Sequence, residues 1–471
     1  MKKNNAIYRM LALLGLSICL CTSCTLKVSD ETSIQNGDND EIALRANNEQ
    51  QKIVFANLGT ISMPKAVELL IRDFTLDYYS SFVDYQEANL LSYFDLEYEA
   101  SAQNAYINQL ALSYLLAVRK GQESDLRLNY YECILEIIEA TEMGNNLLRV
   151  VLLEHSQIRY SFIPERTTYA SGIKHEFLVQ KTDDEWKILI HTKQEDVYYV
   201  AEKGFTSEFK KDEATETLDV SEEEFNWDID KEKIVNLALL DERYSKVLGL
   251  LVLDANESIH NNVAAYEQYL EGTSEFSDLE PVWENEYDRE KAVEYAYEWT
   301  GCCGLLRNPV WKAYDELGGN CNNFISQCLY AGGIPMDITG SINNQWKWYG
   351  DCLDEKERHS GRSSSWSGVD EFYEYAMNNE GPGLVAIVGD NIYSGQIGDV
   401  IQYGTDGKWT HSVIIVDVIR DENDMLVDYL VNSNTTDRID CPMSAYSYAD
   451  IRLIKIVGYN TEQGRTEEEP S

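Results

Sequence analysis

Apolar residues recur three and four positions apart in several stretches of the chain, which is the spacing of a helix that buries one face. The predicted helices cover Pro64 to Tyr85, Glu97 to Gly121, Ile234 to Leu253, Ile259 to Leu270, Tyr287 to Trp299 and Val369 to Met377. The first of them begins at a proline, which suits a first helical turn. Stretches with a different pattern separate these helices.

Between Leu126 and Ile190 apolar and polar residues alternate, as in strands with one buried face. Three long strands are predicted, over Leu126 to Ala140, Leu147 to Phe162 and Gly172 to Ile190. Met143-Gly144-Asn145-Asn146 predicts a tight hairpin between the first two. Helices followed by a curved antiparallel sheet resemble cystatin-like or NTF2-like α+β domains, so we expect an accessory domain of that kind here.

A further helix is predicted after Gly318 and Gly319, and it ends at a second pair of glycines. Its buried face would carry Cys321, Phe324, Ile325, Cys328 and Leu329. Cys321 falls in the first turn, where free backbone N–H groups and the helix dipole favour a thiolate. Cys321 is therefore a candidate nucleophile. The structural alternatives are a small buried apolar residue or one half of a disulfide.

The last third continues with strand patterns, over Gly398 to Tyr403, Thr410 to Val418 and Asp428 to Asn434. His411 opens the second of these strands, and Asn432 and Asn434 lie near the end of the third. Cysteine, histidine and asparagine in this order are typical of a papain-like site. The thiolate attacks a carbonyl carbon, the imidazole transfers the proton, and a polar side chain fixes the ring tautomer.

In that scheme Cys321 is the nucleophile, His411 the base and acid, and Asn434 the orienting group, with Asn432 as the alternative. Backbone N–H groups at the start of the helix would receive the oxyanion, close to Asn320, Asn322 and Asn323. The chemistry needs no cofactor or metal, and the spacing of a zinc site is absent from the sequence.

The run Asn320-Cys321-Asn322-Asn323-Phe324-Ile325-Ser326-Gln327-Cys328 resembles the Asp-Cys-Thr-Asn-Phe-Val-Ser-Gln-Cys segment of the putative amidase domain family. That family is distantly similar to the NlpC/P60 and CHAP peptidoglycan hydrolases. The resemblance extends from about Tyr287 to Tyr459 and includes Asn308-Pro309, Trp346-Lys347-Trp348-Tyr349, Ser365-Trp366, Gly398-Asp399, His411-Ser412 and Thr435-Thr436-Asp437-Arg438. It implies a papain-like, NlpC/P60-like fold, with a helix packed on an antiparallel sheet, and hydrolysis of an amide in cell-wall peptide.

Three positions depart from the family pattern. Asn320 and Asn322 stand where the family has Asp and Thr, and Asn434 stands where it often has His. An asparagine carbonyl can still orient an imidazole, as in papain-like proteases. The flanking changes nevertheless keep a rival open, a cell-surface binding module whose catalytic fold has drifted. A thiol-dependent deamidase or transferase is the second rival.

The N-terminus predicts export from a bacterial cell. Lys2, Lys3 and Arg9 precede an apolar run that ends at Cys21-Thr22-Ser23-Cys24, the order of a secretory signal. The end of this run resembles a bacterial lipoprotein site, with Cys24 as the lipidated residue, and simple cleavage is the alternative. The net charge of −42 argues against nucleic acid as a partner and suits a protein outside the cell or a cationic substrate.

Together these features predict an α+β hydrolase at the cell surface, anchored to the membrane through lipid and acting on peptidoglycan or another peptide amide. The expected order is a signal peptide (1–24), a disordered tether (25–55), the accessory domain (56–205), an acidic segment with a helical connector (206–280), the amidase domain (281–460) and a disordered tail (461–471).

Overall fold

A computed structural model describes residues 51–57, 61–212, 235–272, 281–317, 319–339, 345–348, 362–405, 407–447 and 450–461. The signal sequence with Cys24, nearly all of the tether, the final residues and Cys352 lie outside these residues. In the described part the fold is α+β, as predicted, with eight α-helices and one large, mostly antiparallel sheet. No helix there is long and apolar enough to cross a membrane.

The N-terminal half packs two long helices against four antiparallel strands. The helices are α1 (Lys65–Asp84) and α2 (Glu99–Gly121), and both predictions are confirmed. The strands are β2 (Leu128–Gly144), β3 (Leu147–Tyr160), β4 (Thr168–Thr182) and β5 (Glu185–Lys193). The predicted hairpin joins β2 to β3, and positive φ angles at Asn145 and Asn146 (51° and 60°) make its tight turn.

Residues 51–55 were assigned to the tether, but they belong to a strand. β1 (Gln51–Ala56) pairs in parallel with β2 and extends the edge of the sheet. After β5, helix α3 (Asp196–Asp212) packs against α2. The two helices predicted from Ile234 onward form one continuous helix, α4 (Leu237–Glu271). No proline or glycine pair interrupts this stretch, so nothing in the sequence ends the first helix.

In the C-terminal half helices cover a second group of strands. The helices are α5 (Arg289–Glu298), α6 (Cys321–Ala331), α7 (Ser364–Ser367) and α8 (Val369–Asn378). The strands are β6 (Gly383–Val388), β7 (Val400–Thr405), β8 (Lys408–Arg420), β9 (Leu426–Ser433), β10 (Asp437–Pro442) and β11 (Asp450–Asn460). The predicted strands at β7, β8 and β9 are confirmed, whereas β6, β10 and β11 carry no clear period-two pattern.

The strands of the two halves form a single sheet in the order β1-β2-β3-β4-β10-β9-β8-β7-β11-β6, with β5 also paired to β4. The junction is the antiparallel pair of β4 and β10, where Asp437 lies opposite Ser171 and Ile439 lies opposite Tyr169. Helix α4 also spans both halves, because it packs along α2 and its Tyr266 hydroxyl donates to the Leu426 carbonyl oxygen at 2.6 Å. The sheet therefore brings the N-terminal half close to the strands that carry the candidate site.

Candidate active site

Cys321 is the first residue of α6, at the place where the helix N-terminus meets β8. The helix is held against the sheet by buried apolar residues, among them Phe324 and Ile325, both fully buried. The Cys321 side chain is only 7% exposed, and its Sγ lies 3.9 Å from the carbonyl oxygen of Thr410. The thiol thus borders the backbone of the strand residue that immediately precedes His411.

Burial governs the protonation of this thiol. It raises the pKa of Cys321 to about 11, although the backbone N–H groups of Ser412 and Asn322 favour the thiolate. The negative charge of Asp196, at the start of α3, raises it further. The position at the helix start is as predicted, but burial outweighs the expected stabilisation of the thiolate, so the resting thiol is neutral at pH 7.

His411 lies on β8 and is half-buried. Successive strand residues point to opposite faces of a sheet, and the next residue, Ser412, donates from its hydroxyl to Asn322 Oδ1 of α6 at 3.0 Å. His411 therefore faces away from α6, and its ring lies 6.4 Å from the ring of Tyr403 and 5.7 Å from that of Tyr446. The imidazole and the helix that carries Cys321 are on opposite faces of the same strand.

Burial also lowers the pKa of the His411 imidazole to about 4. The carboxylate of Asp196 opposes this shift, and the guanidinium of Arg438 adds to it. The imidazole is consequently neutral at pH 7, so one of its nitrogens is an acceptor and can take a proton. The negative charge of Asp196 thus raises the pKa of both the thiol and the imidazole.

Asn434, the predicted orienting group, lies just after β9. Its Oδ1 accepts from Asn320 Nδ2 at 3.0 Å, and its Nδ2 donates to the Trp299 carbonyl oxygen at 3.1 Å. Asn320 makes no side-chain cap to α6, and its Oδ1 instead accepts from the Tyr314 N–H at 3.0 Å and from Asn323 Nδ2 at 2.9 Å. These amides fix the start of α6 against the loop before it.

Asn432, the alternative, lies opposite Ile414 in the β8–β9 pair, on the sheet face of Ser412. Its Oδ1 accepts from the Asp440 N–H at 2.9 Å, and its buried Nδ2 has no hydrogen-bond partner among the described residues. By strand pairing it lies on the face opposite His411. Whether Asn432 or Asn434 orients the imidazole during a reaction stays a prediction.

The amides of Asn322 and Asn323 serve the packing of α6. Asn322 Nδ2 donates to the Ser365 carbonyl oxygen at 3.3 Å, and Asn323 Oδ1 accepts from the Trp366 indole N–H at 2.9 Å. Both side chains are fully buried. An oxyanion would therefore be met by the backbone N–H groups of the first turn, while these amides hold that turn in place.

Asp437 is a structural residue of the site, to which the sequence analysis assigned no role. It is fully buried, and its carboxylate accepts from Arg307 at 2.6 Å and from the N–H groups of Gly301 and Leu306 at 2.8 and 3.0 Å. The loop so held lies between α5 and α6. Asp437 belongs to the family motif Thr435-Thr436-Asp437-Arg438. Its place in that motif was the feature of the sequence that could have predicted its role.

Replacing Asp437 with asparagine should lower the free energy of unfolding by about 3 kcal/mol, because Arg307 would lose one partner of a buried pair and two N–H groups would lose a charged acceptor. The midpoint of urea unfolding measures the change. Asp424→Asn is the matched control, since Asp424 pairs with Arg420 in solvent and its removal should leave the midpoint unchanged. Equal midpoints for Asp437→Asn and the unmodified protein would contradict the structural role.

All cysteines in the described part of the chain are free thiols, including Cys321, for which a disulfide was one alternative, and the neighbours Cys302 and Cys303. A hydrogen bond from Cys303 lowers the pKa of Cys302 to about 6, which leaves Cys302 mostly thiolate at pH 7. Cys328, on the buried face of α6, is fully buried as predicted. No group of three or more His, Cys, Asp or Glu in the described residues is arranged to hold a metal.

These pKa values predict the order of alkylation by iodoacetamide. At pH 7 Cys302 should react before Cys321, because only its thiolate is well populated. The rate at Cys321 should rise about tenfold per pH unit up to its pKa of about 11. Mass spectrometry of tryptic peptides over a pH series measures both. A Cys321 rate that levels off near pH 6 would show an ionised thiol and contradict the effect of burial.

Comparison with known proteins agrees with the motifs. Residues 286–457 match the family described as "Putative amidase domain". The uncharacterized protein YhbB of Bacillus subtilis (strain 168) is 33% identical over 208 residues, which are 42% of this chain and 58% of YhbB. The chain thus spans little more than half of that relative. No solved structure matches. The C-terminal part is therefore an amidase-family domain, which points to amide hydrolysis.

Proposed function

We propose that the amidase-family domain at residues 286–457 is a cysteine hydrolase that cleaves a peptide amide, with Cys321 as nucleophile and His411 as general base and acid. The observation that carries the proposal is the position of Cys321. It is the first residue of a buried helix, and its Sγ lies 3.9 Å from the backbone oxygen that precedes His411. A nucleophile, a base and first-turn N–H donors are thereby provided by neighbouring parts of two elements.

The finer fold assignment is part of the proposal. Helix α6 packed on the antiparallel strands β6 to β11 corresponds to a papain-like, NlpC/P60-like domain. Helices α1 and α2 packed on the antiparallel strands β2 to β5 correspond to a cystatin-like or NTF2-like accessory domain. The element order and the pairing of the strands support both assignments.

The protonation states define the order of the chemical events. With a neutral thiol and a neutral imidazole, the proton leaves Sγ as the S–C bond forms, and His411 takes it. The carbonyl oxygen becomes an oxyanion at the first-turn N–H groups of α6. The C–N bond then breaks, and His411 returns the proton to the leaving amine. His411 next takes a proton from a water that attacks the thioester, the C–S bond breaks, and the proton passes from His411 back to Sγ.

This reaction requires a nitrogen of His411 within about 3 Å of Sγ. In the resting protein the ring lies on the sheet face that carries Tyr403, and this face points away from α6. We propose that substrate binding moves the imidazole, at the start of β8, from that sheet face to the side on which the thiol lies. Asn434 or Asn432 then accepts from the second ring nitrogen and fixes its tautomer.

The proposed substrate is a cell-wall peptide, and the proposed location is the outer surface of a bacterial membrane, with a lipid on Cys24 as anchor. The family's resemblance to peptidoglycan hydrolases and the order of the N-terminal segment support this. A net charge of −42 suits a protein that meets a cationic or zwitterionic peptide outside the cell.

A wall-binding module without turnover is the rival, and one observation favours it. The resting imidazole and α6 lie on opposite faces of β8, so a chain that never brings them together would bind and not cleave. The same observation applies to a deamidase or a transferase, which would require the same pair of groups and differ only in the amide or the acceptor.

The test is turnover of defined amides. Purified wall fragments and short peptides are incubated with the protein, and new amino groups are measured by mass spectrometry. Acid quench at early times should trap an acyl group on Cys321 as a thioester. New amines with an acylated Cys321 are the expected result. Binding of wall fragments with no new amine and no acyl group would establish the rival. Ammonia or an amide exchange product would identify the deamidase or the transferase.

A further inference from the structure

The turn between β9 and β10 contains a strained residue. Thr435 has a φ angle of 96°, a conformation that L-residues avoid and that is least favourable for a β-branched side chain. The residue before it, Asn434, is buried, and Thr435 itself is half-buried. A fold keeps such a backbone conformation only where the surrounding contacts hold it. The contacts of this turn therefore indicate what the strain is used for.

The contacts of Thr435 lead to the chain just before the candidate nucleophile. Its Oγ1 accepts from the backbone N–H of Asn320 at 2.7 Å, and its carbonyl oxygen accepts from Arg307 at 3.3 Å. Gly319 also has a positive φ angle, 117°, and a Cβ added there would lie 3.4 Å from Thr435 Oγ1. The strained turn and the segment that leads into α6 thus lie directly against each other.

Each polar group of Asn320 makes at least one hydrogen bond. Its backbone N–H donates to Thr435 and its Nδ2 donates to Asn434 Oδ1 at 3.0 Å, so both of its donor groups are bound by the turn. Its Oδ1 accepts from the Tyr314 N–H at 3.0 Å, and its carbonyl oxygen accepts from the Phe324 N–H at 2.9 Å. Asn320 is only 2% exposed. Its N–H would therefore lose its acceptor without gaining solvent if the Thr435 hydroxyl were removed.

Cys321 follows Asn320 directly, so the same bonds decide where the thiol lies. The Asn320 side chain does not cap α6, and the bonds from the turn fix the start of the helix in place of a cap. The Cys321 Sγ lies 3.9 Å from the Thr410 carbonyl oxygen. A shift of the first turn by about 1 Å would move the thiol and the first-turn N–H donors together, and a displacement of that size can cost about 10²-fold in rate.

We propose that Thr435 is a positioning residue for Cys321, because its hydroxyl binds the N–H of Asn320 and thereby sets the start of α6. This rests on the proposed function, since the thiol that Thr435 positions is the proposed nucleophile. The strained backbone brings the hydroxyl within hydrogen-bond distance of Asn320. Thr435 acts through the helix start, so its effect should appear in kcat and not in KM.

Thr435→Val tests this role, because valine keeps the β-branched shape and replaces only the hydroxyl. With wall fragments as substrate, kcat should fall about 10²-fold at unchanged KM. Thr435→Ser keeps the acceptor and should retain the kcat of the unmodified protein. Thr436→Val is the matched control, because Thr436 is the next residue of the same turn, is also half-buried, and is not the acceptor for Asn320. If the valine variant does not fold, Thr435→Ala carries the same expectations.

Alkylation by iodoacetamide measures the position of the Cys321 thiol without any turnover. In Thr435→Val the loosened first turn should expose the thiol, and its alkylation rate at pH 8 should rise at least about tenfold, because loss of burial lowers a thiol pKa and admits the reagent. Cys328, fully buried two turns further along α6, should stay protected. The Thr435→Ser and Thr436→Val proteins should be alkylated at the rate of the unmodified protein.

A valine variant with the kcat of the unmodified protein, or with an unchanged alkylation rate at Cys321, would overturn the proposal. A serine variant as impaired as the valine variant would do the same, and so would equal increases in alkylation at Cys321 and Cys328, which would show a general loosening of the fold.

The outcome is separable from that of the proposed function. If the unmodified protein hydrolyses no amide and Cys321 alone becomes more reactive in Thr435→Val, Thr435 positions the thiol and only the catalytic assignment fails. If turnover requires Cys321 and is the same with valine at position 435, the positioning role fails and the proposed function stands.

Discussion

Cys321→Ala should reduce hydrolysis of the proposed substrate by at least about 10⁴-fold, because it removes the sulfur on which the thioester of the proposed reaction forms. The loss should appear in kcat, since the sulfur reacts in the transition state and contributes little to binding of the intact peptide. The fold should persist. The side chain is small and alanine leaves only a small cavity, so the free energy of unfolding should fall by about 1 kcal/mol. Steady-state kinetics and urea unfolding measure the two effects.

Cys328→Ala is the matched control on the same helix. Cys328 is fully buried, two turns further along α6, and faces the core. Its replacement should cost about 1–2 kcal/mol of stability and leave kcat of the folded protein unchanged. If both variants lost turnover in proportion to their stability, Cys321 would be a core residue and not a nucleophile. If neither lost turnover, the reaction would not depend on the cysteine.

The start of α6 could be predicted because the information for it is local. Apolar residues at helical spacing and two pairs of glycines define the helix within about fifteen positions. The hairpin at Asn145 and Asn146 is local in the same sense, because a two-residue turn requires residues that tolerate positive φ. Strand β8 follows from its run of β-branched residues around Ile414.

The joining of the two halves could not be predicted, because it depends on contacts between distant residues. Ser171 lies opposite Asp437, and Tyr169 lies opposite Ile439. Strand β10 is short and interrupted by an irregular pairing with β9, so its sequence shows no alternation. The cavity that Arg119 and Arg438 both line depends on this pairing, and sequence patterns alone gave no reason to place these two residues together.

The electrostatics of the site also depend on what covers it. A cysteine at a helix start favours the thiolate by its local setting, but the rest of the fold buries Cys321 and raises its pKa to about 11. The orientation of His411 likewise depends on the fold, because its pairing with Tyr403 decides on which sheet face the imidazole lies. The alternation of strand residues predicts that Asn432 and Asn434 share a sheet face. The pairing of β8 with β9 is needed to show that Asn432 lies on the other sheet face from the imidazole.

His411→Asn should lower kcat/KM by about 10³-fold, because proton transfer to and from a positioned base contributes about 10²–10⁴. In the unmodified protein the acid limb of the pH profile should lie near pH 4. Burial lowers the imidazole pKa to about 4, and a base must be unprotonated to act, so activity should fall only as pH drops through that value. The variant should lose this limb along with the rate. Initial rates from pH 3 to 9 measure both.

His260→Asn is the control, because His260 is exposed on α4 and no pH-dependent step involves it. An acid limb of kcat/KM near pH 6.5 in the unmodified protein would mean that the imidazole of the free protein is solvated, and it would contradict the lowering of its pKa by burial. A variant with undiminished kcat/KM would remove His411 from the mechanism. A limb at pH 4 that disappears with the histidine requires a base that is buried and neutral at rest, as the fold positions His411.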